Sequence, residues 1–218
     1  MGISQKIKEI MYEKFPNKCI EVIPSSPDKK LPNRVEFNNI KELTKGQFVV
    51  IQVGKLIEMK GHKISIEVAK KIKKIIPNAH FYFLGNGQEE AELKALIGSN
   101  EYIHLMGYQK DTASWYRVSD IQIHPSLHEG LGSAILEGLA NGTNVIASNV
   151  GGIPDIIQDK INGLLCKPNN AEDLFQKIKY LYENKYLIKK FSVNNREILK
   201  HFDIDNTCRA YKILYDLS

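Results

Sequence analysis

Short apolar runs recur along the chain from residue 48 onward, each four to six residues long and rich in β-branched or aromatic side chains. Most are followed by Gly, Pro or Ser. Runs that are apolar at every position, rather than at alternate ones, are typical of strands buried on both faces of a parallel sheet. Strands are therefore predicted at residues 48–53, 80–84, 102–105, 121–124, 144–147 and 163–166.

Longer amphipathic stretches separate these runs. After Gly61, the apolar residues Ile64, Val68 and Ile72 recur with a period near 3.6, which predicts a helix that Pro77 ends. Strands that alternate with helices in this way predict an α/β fold with a doubly wound, Rossmann-like parallel sheet. Further helices are predicted at residues 88–97, 112–119, 133–141, 171–183 and 185–201.

The N-terminal segment departs from this alternation. It carries an amphipathic helix, a short predicted strand at residues 19–23, and a stretch rich in Pro, Asn and Lys at residues 24–45. Such a composition is typical of a linker or connecting loop. We therefore expect residues 1–45 to form an appendage to the sheet-bearing domain.

The C-terminal segment predicts one more helix, over residues 205–218, whose apolar face must pack on another surface. Its side chains at helical spacing are Cys208, Tyr211, Leu214 and Tyr215. The predicted organisation is thus an appendage and linker at residues 1–45, a single Rossmann-like domain at residues 46–201 and a returning helix at residues 202–218.

Composition limits the classes of function. Hydrophobic residues make up 43% and charged residues 25% of the chain, which is ordinary for a globular protein. The net charge of +5 is mild; it permits phosphates or an acidic membrane surface as partners and does not indicate nucleic acid. Three widely spaced cysteines predict neither a disulfide framework nor a zinc site and fit a cytoplasmic protein. No apolar run approaches the roughly 18 residues of a membrane helix, so we expect at most a peripheral contact with the inner face of a membrane.

Candidate chemistry is densest in residues 124–137, HPSLHEGLGSAILE. This segment leaves a predicted strand, passes through Gly130, Leu131 and Gly132, and enters a predicted helix near Ser133. Ligands of open α/β sheets bind at this edge, and the free amides of a helix's first turn hold anions such as diphosphate. By itself, however, a Gly-x-Gly turn is more typical of a tight strand-to-helix connection without a ligand.

Two glutamates, Glu129 and Glu137, flank that turn with seven residues between them. Carboxylates accept hydrogen bonds from sugar hydroxyls, although local capping or a surface ion pair would also explain such residues. A glycosidase pair is disfavoured: it needs carboxyls roughly 5 to 9.5 Å apart, and eight helical residues would span about 12 Å. No G-x-S-x-G context supports an esterase that would use Ser126 and His124.

The spacing of Glu129 and Glu137 resembles the Glu–seven–Glu motif of glycosyltransferase family 4, a family of retaining GT-B enzymes. Four stretches, DIQIHPSLHEGLG, LEGLANGTNVIASNVGGIPDIIQDKINGLLC, VGKLIEMKGH and FLGNG, are similar to the family in order and spacing, over about residues 46–185. Two positions depart from the family: Lys55 stands where arginine is usual and Thr143 where proline is common. Lysine offers a point charge instead of a bidentate fork, so this departure implies weaker diphosphate binding.

The resemblance implies roles for individual residues. Glu137 would hold the ribose hydroxyls, and Glu129 the hydroxyls of the transferred sugar and the charge near its anomeric carbon. Lys55 and Lys60 would neutralise the diphosphate, so that with Glu129 they form the implied catalytic set. Gly107 and Tyr108 would lie beside the base. The full implied donor-binding set is Gly54, Asn86, Gly87, Gly107, Tyr108, His128, Gly130, Leu131, Gly132, Ser133 and Glu137.

The activity implied by the resemblance is retaining transfer of a hexose from a nucleotide-diphosphate sugar to a saccharide or lipid-linked acceptor, in surface polysaccharide biosynthesis. At 218 residues we expect only the C-terminal, donor-binding half of a GT-B fold, which a separate chain supplying the acceptor domain would complete. The alternatives are a non-catalytic nucleotide-sugar-binding subunit, a truncated inactive transferase, or another GT-B enzyme such as an epimerase or phosphorylase. We expect neither a metal nor another cofactor, because the implied lysines and the helix end already supply positive potential.

Overall fold

One parallel sheet organises the computed structural model, which describes residues 3–18, 20–27 and 32–216. Its order is β3-β2-β1-β4-β5-β6, and every neighbouring pair is parallel. This is the doubly wound order of Rossmann-like folds, so the predicted fold class is confirmed. The strands are β1 (Phe48–Val53), β2 (Ala79–Leu84), β3 (Ile103–Gly107), β4 (Ile121–His124), β5 (Asn144–Ser148) and β6 (Leu164–Cys166).

Helices follow the strands and flank the sheet. No helix within the described ranges is long and apolar enough to cross a bilayer. The helices are α1 (Gln5–Lys14), α2 (Arg34–Leu43), α3 (His62–Ile72), α4 (Glu90–Ile97), α5 (Thr112–Val118), α6 (Ser133–Ala140), α7 (Ile153–Ile156), α8 (Ala171–Glu183), α9 (Tyr186–His201) and α10 (Ile204–Asp216).

The sheet is buried on both faces, because alternate residues of each strand point to opposite sides. In β1, Val50 packs in a cluster with residues of α3, α4 and α8. Its neighbours Val49 and Ile51 pack instead with Ile40 of α2 and Trp115 of α5. Residues of β5, α6 and α7 extend that second layer. The apolar runs therefore mark strands covered by helices on each side.

The connections change side of the sheet between β1 and β4. The chain leaves β1 into α3 on one face, whereas it leaves β4 into α6 on the other. Because β1 and β4 are neighbours in the sheet, their carboxyl ends diverge and leave a crevice between the two following loops. The fold thus places a binding crevice beyond Val53 and His124.

The prediction that α3 continues to Pro77 is wrong, since the helix ends at Ile72. There the chain tightens into a turn in which the Ile75 N–H donates to the Ile72 carbonyl at 3.0 Å. Ile76 remains fully buried, so the apolar periodicity continues past the helix. The turn brings Ala79 into register with Phe48 at the start of β2.

The prediction of a connecting loop at residues 24–45 is wrong for the span that forms α2. The Asn33 side chain caps this helix, accepting from the N–H groups of Val35 and Glu36 at 2.9 and 3.2 Å. Ile40 is its one buried residue. Residues 28–31 of the predicted loop lie outside the described residues.

The N-terminal segment contacts the C-terminal helix. Among residues 20–23, where a strand is predicted, Ile20 and Ile23 are buried but belong to no strand of the sheet; Cys19 lies outside the described residues. The predicted C-terminal helix is present as α10, and its Thr207 hydroxyl donates to the Pro24 carbonyl at 3.0 Å. The Leu214 side chain, part of its predicted apolar face, lies outside what is described.

Gly61, between β1 and α3, tests how closely the crevice loops are packed. Its φ is +69°, and a Cβ there would collide with the Pro125 carbonyl oxygen. Gly46 has a similar φ of +76° with nothing within 4 Å of such a Cβ. We expect Gly61→Ala to lower the free energy of unfolding by roughly 3 kcal/mol and Gly46→Ala by only about 1 kcal/mol in urea titrations. Equal losses would show that the loops do not meet at Gly61.

Candidate active site

Two loops lie side by side over the crevice, residues 54–61 after β1 and residues 125–132 after β4. The Leu127 N–H donates to the Met59 carbonyl at 2.8 Å, and Gly61 lies against Pro125. These contacts are main-chain contacts, so the loops hold a fixed distance whatever their side chains do.

A buried polar chain holds the first loop from below. The Ser65 hydroxyl donates to the Gln52 Oε1 at 2.6 Å, and the Gln52 Nε2 donates to the Lys60 carbonyl at 2.7 Å. Gln52 and Ser65 are both buried, and such groups are stable there only when paired. The backbone of Lys60 is consequently fixed to the middle of β1 and to the first turns of α3.

The Glu129 carboxylate is held through one oxygen. Its Oε2 accepts from the Lys60 Nζ at 2.5 Å and the His124 Nε2 at 2.8 Å, with the Ser126 hydroxyl at 3.4 Å. Burial alone would raise the pKa of Glu129, but the hydrogen bonds from His124 and Lys60 outweigh it and lower that pKa to about 2. Glu129 is therefore an ionised acceptor, suited to neutral donors such as hydroxyls.

The glycine turn after Glu129 is held by the loop between β5 and α7. The Gly152 N–H donates to the Gly130 carbonyl at 3.1 Å, and a Cβ at Gly151 would collide with the Glu129 carbonyl oxygen. The Leu131 side chain is buried in the cluster beneath β5. Gly132 adopts a φ of +99° immediately before α6, so the turn delivers the chain into the helix as predicted.

Helix α6 carries Ser133 at its exposed first position and Glu137 one turn later. The Tyr116 hydroxyl of α5 lies 3.5 Å from the Glu137 Oε2. Burial, and after it the charge of Glu137, raise the pKa of Tyr116. Glu137 thus faces α5, while Glu129 faces the loop after β1, and the two acids flank the glycine turn from different sides.

Two clefts open beside the loop at residues 54–61. One, of about 440 Å³, is lined among others by Met59, Lys60, His128, Glu129, Gly130 and Gly151. The other, of about 330 Å³, is lined among others by Gly54, Lys55, Gly85, Asn86, Tyr108 and Thr112. The structure therefore divides part of the predicted site between two clefts that share one loop. Six predicted residues are not among those that line either cleft: Gly87, Gly107, Leu131, Gly132, Ser133 and Glu137.

Main-chain hydrogen bonds connect the loops that form the walls of the second cleft. The Leu56 N–H donates to the Asn86 carbonyl at 3.0 Å, and the Gly85 N–H donates to the Gly107 carbonyl at 2.8 Å. Gly87 lies so close to Leu56 that a Cβ would collide with the Leu56 carbonyl. The predicted residues Gly87 and Gly107 thus shape this cleft through backbone contacts, whereas Lys55 and Tyr108 are exposed in it.

Helix α1 contributes a wall that the sequence did not indicate. Its residues Lys6, Ile7 and Ile10 line the first cleft opposite Glu129. The helix is anchored because the Gln5 N–H donates to the Asp155 Oδ2 at 2.8 Å and Ser4 is fully buried. Its amphipathic pattern predicts a helix but carries no information about which surface that helix covers.

Two histidines beneath the crevice were also missed as site residues. His124, which is outside the implied site, contacts Glu129 directly. His62 is fully buried, with its ring edge-on to Phe83 at a centroid distance of 5.7 Å. Burial, then the nearby His124 and Lys60, lower the pKa of His62 to about 4.

Sequence comparison gives a family match for most of the chain. The sequence model of the family "Glycosyl transferases group 1" matches residues 33–198. The uncharacterized glycosyltransferase MJ1178 of Methanocaldococcus jannaschii is 29% identical over 218 residues, covering 98% of this chain and 58% of that protein. The Escherichia coli UDP-Gal:alpha-D-GlcNAc-diphosphoundecaprenol alpha-1,3-galactosyltransferase is 28% identical over 207 residues, covering 90% and 54%. The chain thus spans little more than half the length of these relatives.

Structural comparison gives the same fold. A glycosyltransferase from Rickettsia africae superposes with a TM-score of 0.86 at 24% identity, covering 98% of this chain and 61% of that one. Anabaena Alr3699/HepE in complex with UDP-glucose superposes with a TM-score of 0.88 at 19% identity, covering 100% and 63%. These likenesses confirm the prediction of a Rossmann-like domain of the GT-B type.

The buried His62 predicts an acid sensitivity that its removal should relieve. Its pKa is about 4 in the folded state and 6.5 when unperturbed, so its contribution to stability is present above pH 6.5 and is lost as pH falls towards 4. As the pH falls from 7.5 to 4, the natural protein should lose on the order of 3 kcal/mol more of its free energy of unfolding than His62→Leu does. Denaturant titrations across that range measure it; a pH-independent difference between the two proteins would contradict it.

Proposed function

Since the chain belongs to the glycosyl transferases group 1 family, we propose that it binds a nucleotide-diphosphate sugar across the crevice and forms the donor-binding half of a retaining hexosyltransferase. The observation that carries this proposal is the ionised Glu129 carboxylate, fixed beside the Lys60 ammonium at the floor of a cleft. Such a pair presents an acceptor for sugar hydroxyls and a cation for phosphate within one small region.

The two clefts suggest how the donor lies. In this proposal the nucleoside occupies the cleft lined by Asn86 and Tyr108, whose ring is 75% exposed and so is open to contact with a base. The sugar occupies the cleft floored by Glu129. The diphosphate spans the loop between them, near Lys55 and Lys60. Glu137 then serves the ribose from α6.

Transfer would use the same groups for catalysis. Departure of the nucleoside diphosphate builds negative charge, which preorganised cations and the first-turn amides of α6 stabilise. Positive charge develops at the anomeric carbon, close to the ionised Glu129. Lys55 and Lys60 supply the cations in this scheme, and we propose that no metal is required.

The names of related proteins support the choice of substrates. The Escherichia coli relative is named for UDP-Gal and for a diphosphoundecaprenol-linked acceptor, and the Anabaena structure contains UDP-glucose. We therefore propose a UDP-hexose as donor and a saccharide or lipid-linked saccharide as acceptor, in the assembly of a surface polysaccharide.

Calorimetric titration with UDP-glucose, UDP-galactose, GDP-mannose and ADP-glucose tests the donor site. We expect at least one of the four to bind. Glu137→Gln should weaken the binding of the free nucleotide and of the nucleotide sugar alike, by about tenfold, since hydrogen bonds to charged groups are worth about 1.5–3 kcal/mol. Glu129→Gln should weaken mainly the binding of the nucleotide sugar. The exposed Glu183→Gln on α8 is the matched control. Absence of binding by all four donors would refute the proposal.

The proposed independence from metal has its own test. Because the cations are lysines and a helix end, the Kd of the bound donor should stay within about twofold after EDTA treatment and after addition of Mg²⁺ or Mn²⁺. A donor affinity that collapses with EDTA and returns with one of these ions would contradict it.

A further inference from the structure

We propose that His124 is a positioning residue for donor binding, which fixes the orientation of the Glu129 carboxylate that meets the sugar. The inference rests on the proposed function and adds to it a residue outside the implied donor-binding and catalytic sets. It stands on the geometry around the Glu129 Oε2.

His124 is placed rigidly. It is the last residue of β4, a central strand, and pairs in register with Ala147 of β5. It is only 2% exposed, so its ring has little freedom to move. From there its Nε2 reaches the Glu129 Oε2 at 2.8 Å.

The other two hydrogen-bond partners of Glu129 fix its orientation less rigidly, although the Lys60 Nζ is the nearest of the three, at 2.5 Å. The Ser126 hydroxyl lies 3.4 Å away, beyond the usual O–H···O range of about 2.5–3.0 Å. The Lys60 ammonium ends a flexible four-carbon stem, and in the proposed binding mode it also contacts the diphosphate. Once the nucleotide sugar binds and Lys60 shares its charge with phosphate, the hydrogen bond from His124 keeps Glu129 in place.

The direction of the His124 hydrogen bond follows from the charge of Glu129. An ionised carboxylate can only accept, so the imidazole nitrogen that faces it must donate. The His124 Nδ1 is buried and has no hydrogen-bond partner within the described residues, so an N–H there would be unpaired. The hydrogen therefore resides on Nε2, and His124 donates it to Glu129. The convergence of donors on Oε2 leaves Oε1 as the oxygen that receives a sugar hydroxyl.

Two substitutions separate positioning from space filling. His124→Gln puts an amide N–H close to the place of the ring Nε2, whereas His124→Asn, one methylene shorter, keeps the amide but cannot reach Glu129. The quantity measured by calorimetry is the ratio of the Kd for UDP-glucose to the Kd for UDP, because Glu129 contacts the sugar and not the nucleotide. The control is His80→Asn on β2, which removes a half-buried strand imidazole whose Nδ1 lies 3.1 Å from the His104 Nε2.

We expect this Kd ratio to rise about fivefold or more in His124→Asn and to stay within about twofold in His124→Gln and His80→Asn. In a chain that already carries Glu129→Ala, adding His124→Asn should change the ratio no further. If His124→Asn fails to fold, as its thermal melt would show, His124→Phe fills the site without a donor and should raise the ratio equally.

The proposal fails if neither His124→Asn nor His124→Phe changes the ratio, or if His124→Gln raises it as much as they do. Failure of the natural chain to bind either UDP or UDP-glucose is a separate result. It would overturn the proposed UDP-sugar site itself, and with it this inference, before any His124 variant is compared.

Discussion

The reversal of winding between β1 and β4 is the constraint on which the rest of the site depends. Two neighbouring parallel strands send their following helices to opposite faces, so the backbone must open at their carboxyl ends. Lys60 and Glu129 lie on the loops that leave those ends, and Gln52 and His124 lie on the strands beneath them. The crevice is therefore a property of topology, and the side chains determine only what it can bind.

Within that crevice, charge and rigidity reinforce each other. Glu129 is poorly exposed, and a buried carboxylate is tolerable only because Lys60 and His124 bond to it. Lys60 is itself tied through its backbone to Gln52 in β1, and His124 is part of β4. The ion pair is thus supported from two neighbouring strands, as a site that must distinguish small differences in ligand position requires.

The sequence was most informative where burial is two-sided. The strands were predicted because a parallel sheet covered on both faces demands continuous apolar runs. Glu129 stood out in the segment that follows a predicted strand, whereas Lys60 was implied by the family resemblance. Helix α2 was missed because the Pro, Asn and Lys content of residues 24–45 indicated a connecting loop. The roles of α1 and His124 could not be predicted. The role of α1 depends on where it packs: Ile10 lines the cleft together with Glu129, and periodicity carries no such long-range information. The role of His124 depends on the direction of its side chain.

The central claim is that one donor spans the loop after β1, with its sugar on Glu129 and its base in the cleft of Asn86 and Tyr108. A crystal structure of the chain bound to UDP-glucose tests this most directly. The account predicts glucose hydroxyls within hydrogen-bond distance of the Glu129 carboxylate and uracil beside Tyr108. Nucleotide bound at the opposite edge of the sheet, or glucose out of hydrogen-bond reach of Glu129, would contradict it.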